Sequence, residues 1–245
     1  MPVSLQLILC GLVLALAAVQ SVFGVGLLVF GTPALLLLGL PFPQVLAYLL
    51  PCSIVINALQ VVDGGLTLEP IRIKLLLFTA PSVFIGTLLI LVVFKRNVNI
   101  RHVVGAVLIV TAGIRLLSPL HQRMQAFARA KLGLLLALLG LLHGISNLGG
   151  GVLTLIVGCL YEDKASVRKH IAFGYGMMAL IQVAVLALTT TVHLEVALWL
   201  TLPVLAVLSY AIVGKWVFRA TGEKAYQWSL TALIGIFGLL LFVRA

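Results

Sequence analysis

Long apolar runs separated by short polar loops extend from one end of the chain to the other. The runs cover residues 5–22, 25–40, 43–62, 73–94, 102–118, 132–147, 150–160, 171–190, 196–214 and 225–243. A helix needs about 20 apolar residues to cross a bilayer, so most of these runs predict membrane-spanning helices. The pattern indicates an all-α membrane protein with about eight transmembrane helices and no room for a soluble domain.

Two of the apolar stretches are interrupted by glycine-rich sequence. Residues 5–40 contain no charge, and one continuous helix of this length would measure about 54 Å, too long for a single crossing. The stretch 132–160 has the same character. The segments GVGLLVFGTP at 24–33 and GISNLGGG at 144–151 divide these two stretches. We therefore predict a broken or re-entrant helix at each segment.

The order of these features repeats when the chain is shifted by 120 residues. The shift places Gly24 on Gly144, Gly31 on Gly151, Leu35 on Leu155, Leu40 on Leu160 and Lys95 on Lys215. We interpret the repeat as a four-plus-four internal duplication, with a Gly-rich broken helix opening each half. The predicted organisation is a first transmembrane repeat at 1–120, an interfacial linker at 121–131 and a second transmembrane repeat at 132–245.

The positions of Lys and Arg predict an orientation by the positive-inside rule. Loops 95–101, 162–170 and 215–224 each carry three Lys or Arg, whereas loop 190–195 carries none. Placing the three basic loops in the cytoplasm gives each half four crossings and makes the halves parallel repeats, which is the arrangement we favour. If the Gly-rich pieces cross fully, each half has an odd number of crossings and the repeats are inverted.

Composition agrees with a membrane protein and argues against several other classes. Of 245 residues, 62% are hydrophobic and 9% are charged, whereas soluble domains are about 25% charged. The net charge of +10 arises mostly from short loops, so it indicates contact with the lipid bilayer rather than with nucleic acid. Three cysteines without CxxC spacing predict no disulfide framework and no metal site, and no cofactor is expected. We expect a multi-pass protein of the inner or plasma membrane, and a homodimer is left open.

The two predicted breaks are also the best candidates for a binding site. A helix that begins inside the membrane presents free N–H groups and the positive end of its dipole, which together suit a small anionic substrate. Glycines let the backbone approach a ligand, and nearby hydroxyls and amides add donors. The predicted substrate-binding residues are Gly24, Gly26, Gly31, Thr32, Ser53, Asn57, Gln60, His143, Ser146, Asn147, Gly149, Gly150, Gly151 and Gln182. For any single one of them, helix packing or an interhelical hydrogen bond is the ordinary alternative.

The two Gly-rich segments resemble the sulfite exporter TauE/SafE family of membrane transporters. The resemblance is carried mainly by GISNLGGGVLTLIVGCLYEDKASVRKHIA, which begins at Gly144, and is closest at HGISNLGGG, residues 143–151. In the first segment, Val29 and Phe30 stand where the family has two glycines. The resemblance implies transport of sulfite, thiosulfate, an organosulfonate or a related sulfur-containing anion.

The distribution of charge bears on the mechanism. All six carboxylates fall in loops or at helix ends, whereas cation-coupled carriers usually hold one inside the membrane. We therefore expect an exporter driven by membrane potential or weakly linked to protons, with His143 as a candidate relay. The alternatives are a carrier of another small organic or inorganic anion, a structural subunit, and an intramembrane enzyme built on His143 and Ser146. We expect no enzyme, because that pair lacks a supporting acid.

Overall fold

The computed structural model describes residues 1–65, 69–93 and 121–222, together with isolated positions between 106 and 113 and between 225 and 232. The described residues form helices and no strands, which confirms the predicted all-helical class. The predicted segments 102–118 and 225–243 and loop 95–101 lie largely outside the described residues.

Within the described residues the chain forms nine continuous helices. They are α1 (Val3–Phe23), α2 (Leu27–Leu37), α3 (Phe42–Gly64), α4 (Pro70–Val93), α5 (His121–Ala130), α6 (Leu132–Ser146), α7 (Gly149–Leu160), α8 (Lys164–Thr189) and α9 (Val196–Ala220). Five of them, α1, α3, α4, α8 and α9, are long and apolar enough to cross a membrane, and α2, α6 and α7 are shorter apolar helices. The total of about eight crossings stays a prediction, because two predicted segments fall outside the described part.

Helix α8 begins earlier than the hydrophobic pattern predicts, at Lys164 rather than near residue 171. Asp163 caps its first turn, because the Asp163 carboxylate accepts the backbone N–H of Ser166 at 2.7 Å, as N-cap side chains do. This bond holds the pKa of Asp163 below its usual range. A cap before a charged first turn thus extends the helix beyond its apolar part.

Both glycine-rich segments coincide with a helix end followed closely by a new helix. At the first, Gly24 ends α1 in the left-handed conformation with φ of 77°, and α2 begins at Leu27. At the second, Asn147 ends α6 with φ of 63°, and α7 begins at Gly149. Asparagine tolerates this conformation better than most residues. The left-handed residue at the second segment, Asn147, thus lies three residues beyond Gly144, with which the predicted shift of 120 pairs Gly24.

The two ends of the helix bundle differ in chemistry. One, which we name the charged end, is defined by Asp63, Glu69, Lys169 and Lys215. Lys169 pairs with Glu69 at 2.5 Å and Lys215 pairs with Asp63 at 3.0 Å. The other, which we name the N-terminal end, is defined by Met1, Tyr48 and Glu195. There the Tyr48 hydroxyl accepts the backbone N–H of Glu195 at 3.1 Å.

The long helices run between these two ends. Helix α3 ends at the charged end, and α4 starts there after a short connection. Val93, the last residue of α4, therefore lies at the N-terminal end. Helix α8 is antiparallel to α3, because Lys169 packs on Gly64 and Gly176 packs on Asn57. Helix α9 runs parallel to α3, since it begins near the N-terminal end and ends at the charged end.

The helix pairs on either side of the two interruptions, α1–α2 and α6–α7, start and finish at opposite ends of the bundle. Helix α1 starts at the N-terminal end, where the amino group of Met1 contacts Glu195, and α2 returns toward the start of α3 at that same end. Helix α6 runs parallel to α4, which starts at the charged end, as the Thr79–Leu136 contact and the packing of Gly144 on Val83 require. Helix α7 returns to the charged end, where Tyr161 stacks on His170.

This arrangement differs from the parallel orientation favoured from the basic loops. Lys164, Lys169 and Lys215 do lie at one end, but Val93, directly before loop 95–101, lies at the other. The connection between α3 and α4 is too short to cross the bundle, so α4 must begin where α3 ends.

Candidate functional site

Gln20 organises the first interruption from the last turn of α1. Its Oε1 accepts the N–H of Leu27, the first residue of α2, at 3.1 Å. Its Nε2 donates to Ser53 Oγ at 3.0 Å and to Asn57 Oδ1 at 3.2 Å, both on α3. A buried amide that accepts the first N–H of a helix in this way stabilises the turn, because an unpaired N–H inside a membrane is unfavourable.

His143 has the same function at the second interruption. Its Nδ1 accepts the N–H of Gly149, the first residue of α7, at 3.1 Å, and Gln182 of α8 donates to its carbonyl at 3.2 Å. Because Nδ1 acts as an acceptor, the neutral ring carries its proton on Nε2. This Nε2 is buried and has no hydrogen-bond partner among the described residues.

The two interruptions are built alike. Gln20 and His143 each lie three residues before the end of their helix, and each accepts the first N–H of the returning helix. Each is also contacted by an amide side chain from the long helix that follows, Asn57 for Gln20 and Gln182 for His143. The main chemical difference is that the second position is titratable and the first is not.

Tyr175 of α8 reaches the start of both short helices. A Cβ atom at Gly150 of α7 would lie 2.9 Å from the Tyr175 hydroxyl oxygen, so only a glycine leaves room for it. The hydroxyl also lies beside the backbone amide of Val29 in α2, without hydrogen-bond geometry to any described residue. The ring meets His143 edge-on, with centroids 5.5 Å apart.

Asn147 joins the two interruptions directly. Its Nδ2 donates to Thr32 Oγ1 of α2 at 2.9 Å, while its Oδ1 has no partner within the described part of the chain. Both side chains are fully buried. The structure thus brings together the predicted residues Thr32, His143, Asn147, Gly149 and Gly150 around Tyr175.

Other predicted glycines lie in close packing contacts. A Cβ at Gly24 would meet Ile171 at 2.9 Å, one at Gly26 would meet the backbone N of Gln20 at 2.6 Å, and one at Gly31 would meet Leu49 at 2.9 Å. These contacts hold α1, α2, α3 and α8 together. At these positions the packing interpretation accounts for the residue type.

The remaining predicted residues mainly satisfy the backbone of the interruptions. Gln60 donates to the carbonyls of Gln20 and Ser21 at the end of α1. Ser146 Oγ donates to the Leu142 carbonyl and accepts the N–H of Leu148. The Gly151 N–H contacts the Leu148 carbonyl at 3.3 Å. Because Ser146 and His143 have separate partners, they do not form the nucleophile–base pair that the enzyme alternative needs.

The electrostatics of this region are set by helix ends and neutral groups. The starts of α2 and α7 each carry roughly half a positive charge from the helix dipole. Among the described residues, the buried side chains around them are uncharged donors and acceptors: Gln20, Thr32, Ser53, Asn57, His143, Asn147, Tyr175 and Gln182. The site can therefore bind an acceptor group such as an anion oxygen.

Long apolar helices packed around two neighbouring helix starts are typical of multi-pass membrane transporters. The chain belongs to the sulfite exporter TauE/SafE family, whose model matches residues 7–241. No curated protein and no solved structure gives a match to the chain. Membership confirms the resemblance in the sequence and the location in a membrane. It identifies the chain as a membrane transporter of a family that carries sulfur-containing anions.

Proposed function

We propose that the protein exports a small sulfur-containing anion, such as sulfite, thiosulfate or an organosulfonate, through a site between the starts of α2 and α7. One observation carries this proposal: two buried donors, Nε2 of His143 and the hydroxyl of Tyr175, lack a partner among the described residues beside these two helix starts. A buried donor without a partner is unfavourable. An anion oxygen would satisfy both donors and interact with both helix dipoles.

The amide side chains can adapt to such a ligand. The Oδ1 of Asn147 and the Oε1 of Gln182 have no described partner. Rotation of a carboxamide by half a turn exchanges its oxygen and its NH₂ group. Either amide would then offer an additional donor to a bound oxyanion.

The similar construction of the two interruptions supports an internal duplication with inverted halves. In this proposal, α1 to α4 form the described part of the first half and α6 to α9 that of the second, with α5 within the linker 121–131. Inverted repeats are a common basis for alternating access, because exchanging the conformations of the two halves moves the opening from one side to the other. The site at their interface would then face each side in turn.

Membrane potential is sufficient to drive export. An inside-negative potential favours the exit of each negative charge by about 2.3 kcal/mol per 100 mV, which is roughly a fifty-fold gradient. The described carboxylates lie in loops or near the ends of the bundle, away from the proposed site. His143 would supply a weak link to protons.

Flux measurements in lipid vesicles test the proposal. Vesicles containing the purified protein are loaded with sulfite, and an inside-negative potential is imposed with a potassium gradient and valinomycin. We expect sulfite to leave several times faster than from protein-free vesicles, and the rate to increase with the potential. Equal rates in the two preparations would contradict the proposed function.

The donors of the described residues would bind the oxygen atoms of a ligand and make no contact that is specific to sulfur. This favours one alternative function. A carrier of another small organic or inorganic anion would use the same groups. Counterflow with a panel of anions separates the two functions, since a sulfur anion should exchange best under the main proposal.

A further inference from the structure

We propose that Arg168 is a positioning residue for the anion: its positive charge offsets the negative end of α1 and so favours an anion at the start of α2. This inference rests on the proposed function and adds one charged residue to the uncharged side chains of the site. It follows from the contacts that α8 makes with the two interruptions and from the charge at each contact.

Three side chains on one face of α8 reach the two interruptions. Arg168, Tyr175 and Gln182 are spaced by seven residues, which is nearly two helical turns and places neighbours about 10 Å apart along the axis. Arg168 donates to the Ser21 carbonyl in the last turn of α1 at 3.1 Å. Gln182 donates to the His143 carbonyl in the last turn of α6 at 3.2 Å. Tyr175 lies between them, beside the starts of α2 and α7.

Each interruption contains the end of one helix as well as the start of the next. The last carbonyls of a helix carry about half a negative charge, which opposes the half positive charge at the neighbouring start. At the end of α6 the donor from α8 is the neutral amide of Gln182, whereas at the end of α1 it is the guanidinium of Arg168. Arg168 therefore offsets the negative charge at the end of α1 and leaves the start of α2 more favourable for an anion.

The neighbours of Arg168 do not cancel its charge. The guanidinium is partly buried and stacks on Phe218, with its central carbon 3.6 Å from the ring centroid, and solvent screens partly buried charges less than exposed ones. Among the described carboxylates, Asp63 interacts with Arg168. The Asp63 carboxylate is itself paired with Lys215 at 3.0 Å, so Lys215 offsets its charge.

The alternative is that Arg168 only holds α1 and α8 together. In that case, loss of the guanidinium would weaken the binding of all transported anions equally. If Arg168 acts through its charge, the loss increases with the charge of the anion, because the Coulomb energy is proportional to it. At about 10 Å and an effective dielectric constant of about 20, the expected effect is roughly tenfold in affinity for each negative charge.

The experiment uses the full-length protein in vesicles and measures counterflow of sulfite at one neutral pH without an imposed potential. Methanesulfonate, with one negative charge, and thiosulfate, with two, are compared as inhibitors in the wild type, Arg168→Gln and Arg168→Lys. Glutamine retains a donor but carries no charge. Because Gln60 also donates to the Ser21 carbonyl, the end of α1 keeps a partner in either variant.

We expect Arg168→Gln to raise the inhibition constant about tenfold for methanesulfonate and about a hundredfold for thiosulfate. Arg168→Lys keeps the charge, so both constants should stay within about threefold of the wild type. Arg219→Gln is the matched control, because it removes the same charge from an exposed position at the end of α9. Exposed charges are strongly screened, so the control should change neither constant appreciably.

The outcomes separate this inference from the proposed function. A larger increase for thiosulfate than for methanesulfonate, prevented by lysine, supports the positioning role. Equal increases, no increase, an increase that lysine does not prevent, or sulfite counterflow that neither anion inhibits overturns the inference and leaves the proposed function in place. If Arg168→Gln does not fold, Asp63→Asn decides, because it removes a negative charge near Arg168: a lower ratio of the thiosulfate constant to the methanesulfonate constant supports the role, and an unchanged or higher ratio overturns it. If wild-type counterflow of sulfite equals that of protein-free vesicles, the proposed function fails and this inference fails with it.

Discussion

Replacing Tyr175 by phenylalanine is expected to reduce sulfite export by about tenfold to a hundredfold. The Tyr175→Phe change removes one hydroxyl and keeps the ring that packs on Gly150 and His143. The expected loss corresponds to a hydrogen bond with a charged group, which contributes about 1.5–3 kcal/mol. Export is measured as the initial rate of potential-driven sulfite efflux, and thermal unfolding of the purified variant shows whether the fold is retained.

Tyr48→Phe is the matched control for this variant. The Tyr48 hydroxyl is also largely buried, but it accepts the backbone N–H of Glu195 at the N-terminal end, away from both helix starts. We expect the control to export sulfite at nearly the wild-type rate. Comparable rates for Tyr175→Phe and the wild type would show that the Tyr175 hydroxyl does not contact the anion.

The second large effect is expected on stability, from Gly144→Ala. A Cβ at Gly144 would lie 2.5 Å from the Val83 carbonyl oxygen and 2.7 Å from the Thr87 backbone nitrogen. Both neighbours are backbone atoms of α4, so α4 and α6 must separate to accept the methyl group. Overpacking of this kind costs about 1–3 kcal/mol. We expect a clear decrease in the thermal unfolding temperature in detergent.

Gly158→Ala serves as the control, because beyond the adjoining backbone of α7 no atom of the described residues lies within 4 Å of a Cβ at that position. The control should unfold at or slightly above the wild-type temperature, since alanine restricts the unfolded chain more than glycine does. An unchanged unfolding temperature for Gly144→Ala would mean that α4 and α6 do not pack as closely as described.

The two glycine-rich segments stood out in the sequence, but the residue at which each helix ends did not. Glycine ends helices, and it also allows helices to pack closely. In the second segment these two functions are separated, because Gly144 packs against α4 while Asn147 takes the left-handed conformation. A pattern of glycines does not show which of them ends the helix, so the predicted shift paired Gly24 with the packing residue.

Gln20 and Tyr175 are the two residues of the proposed site that the sequence did not indicate. Gln20 lies four residues before the first glycine of its segment, and its contact with Leu27 depends on how the chain turns back. Tyr175 lies on α8, and no sequence pattern links it to Val29 or Gly150. A polar side chain just before a predicted break, and a tyrosine within an apolar helix, are the signals that could have identified them.

The orientation predicted from the basic loops differs from the helix directions in the structure for another reason. The positive-inside rule counts the Lys and Arg residues of each loop and assigns that loop to one side of the membrane independently of the others. The short connection from α3 to α4 imposes a stronger constraint, because Pro70 must begin near Gly64. Tracing the helix directions from that connection puts Val93 opposite Lys169 and Lys215.

A structure of the protein with selenite bound tests the central claim most directly. Selenite is the heavier analogue of sulfite, and anomalous scattering locates its selenium atom independently of the surrounding density. We expect one selenium position between the starts of α2 and α7, with the selenite oxygens within hydrogen-bonding distance of the Tyr175 hydroxyl and His143 Nε2. Selenium bound elsewhere, for example in the cleft lined by Gln44, Tyr48 and His193 at the N-terminal end, with none beside Tyr175, would contradict it.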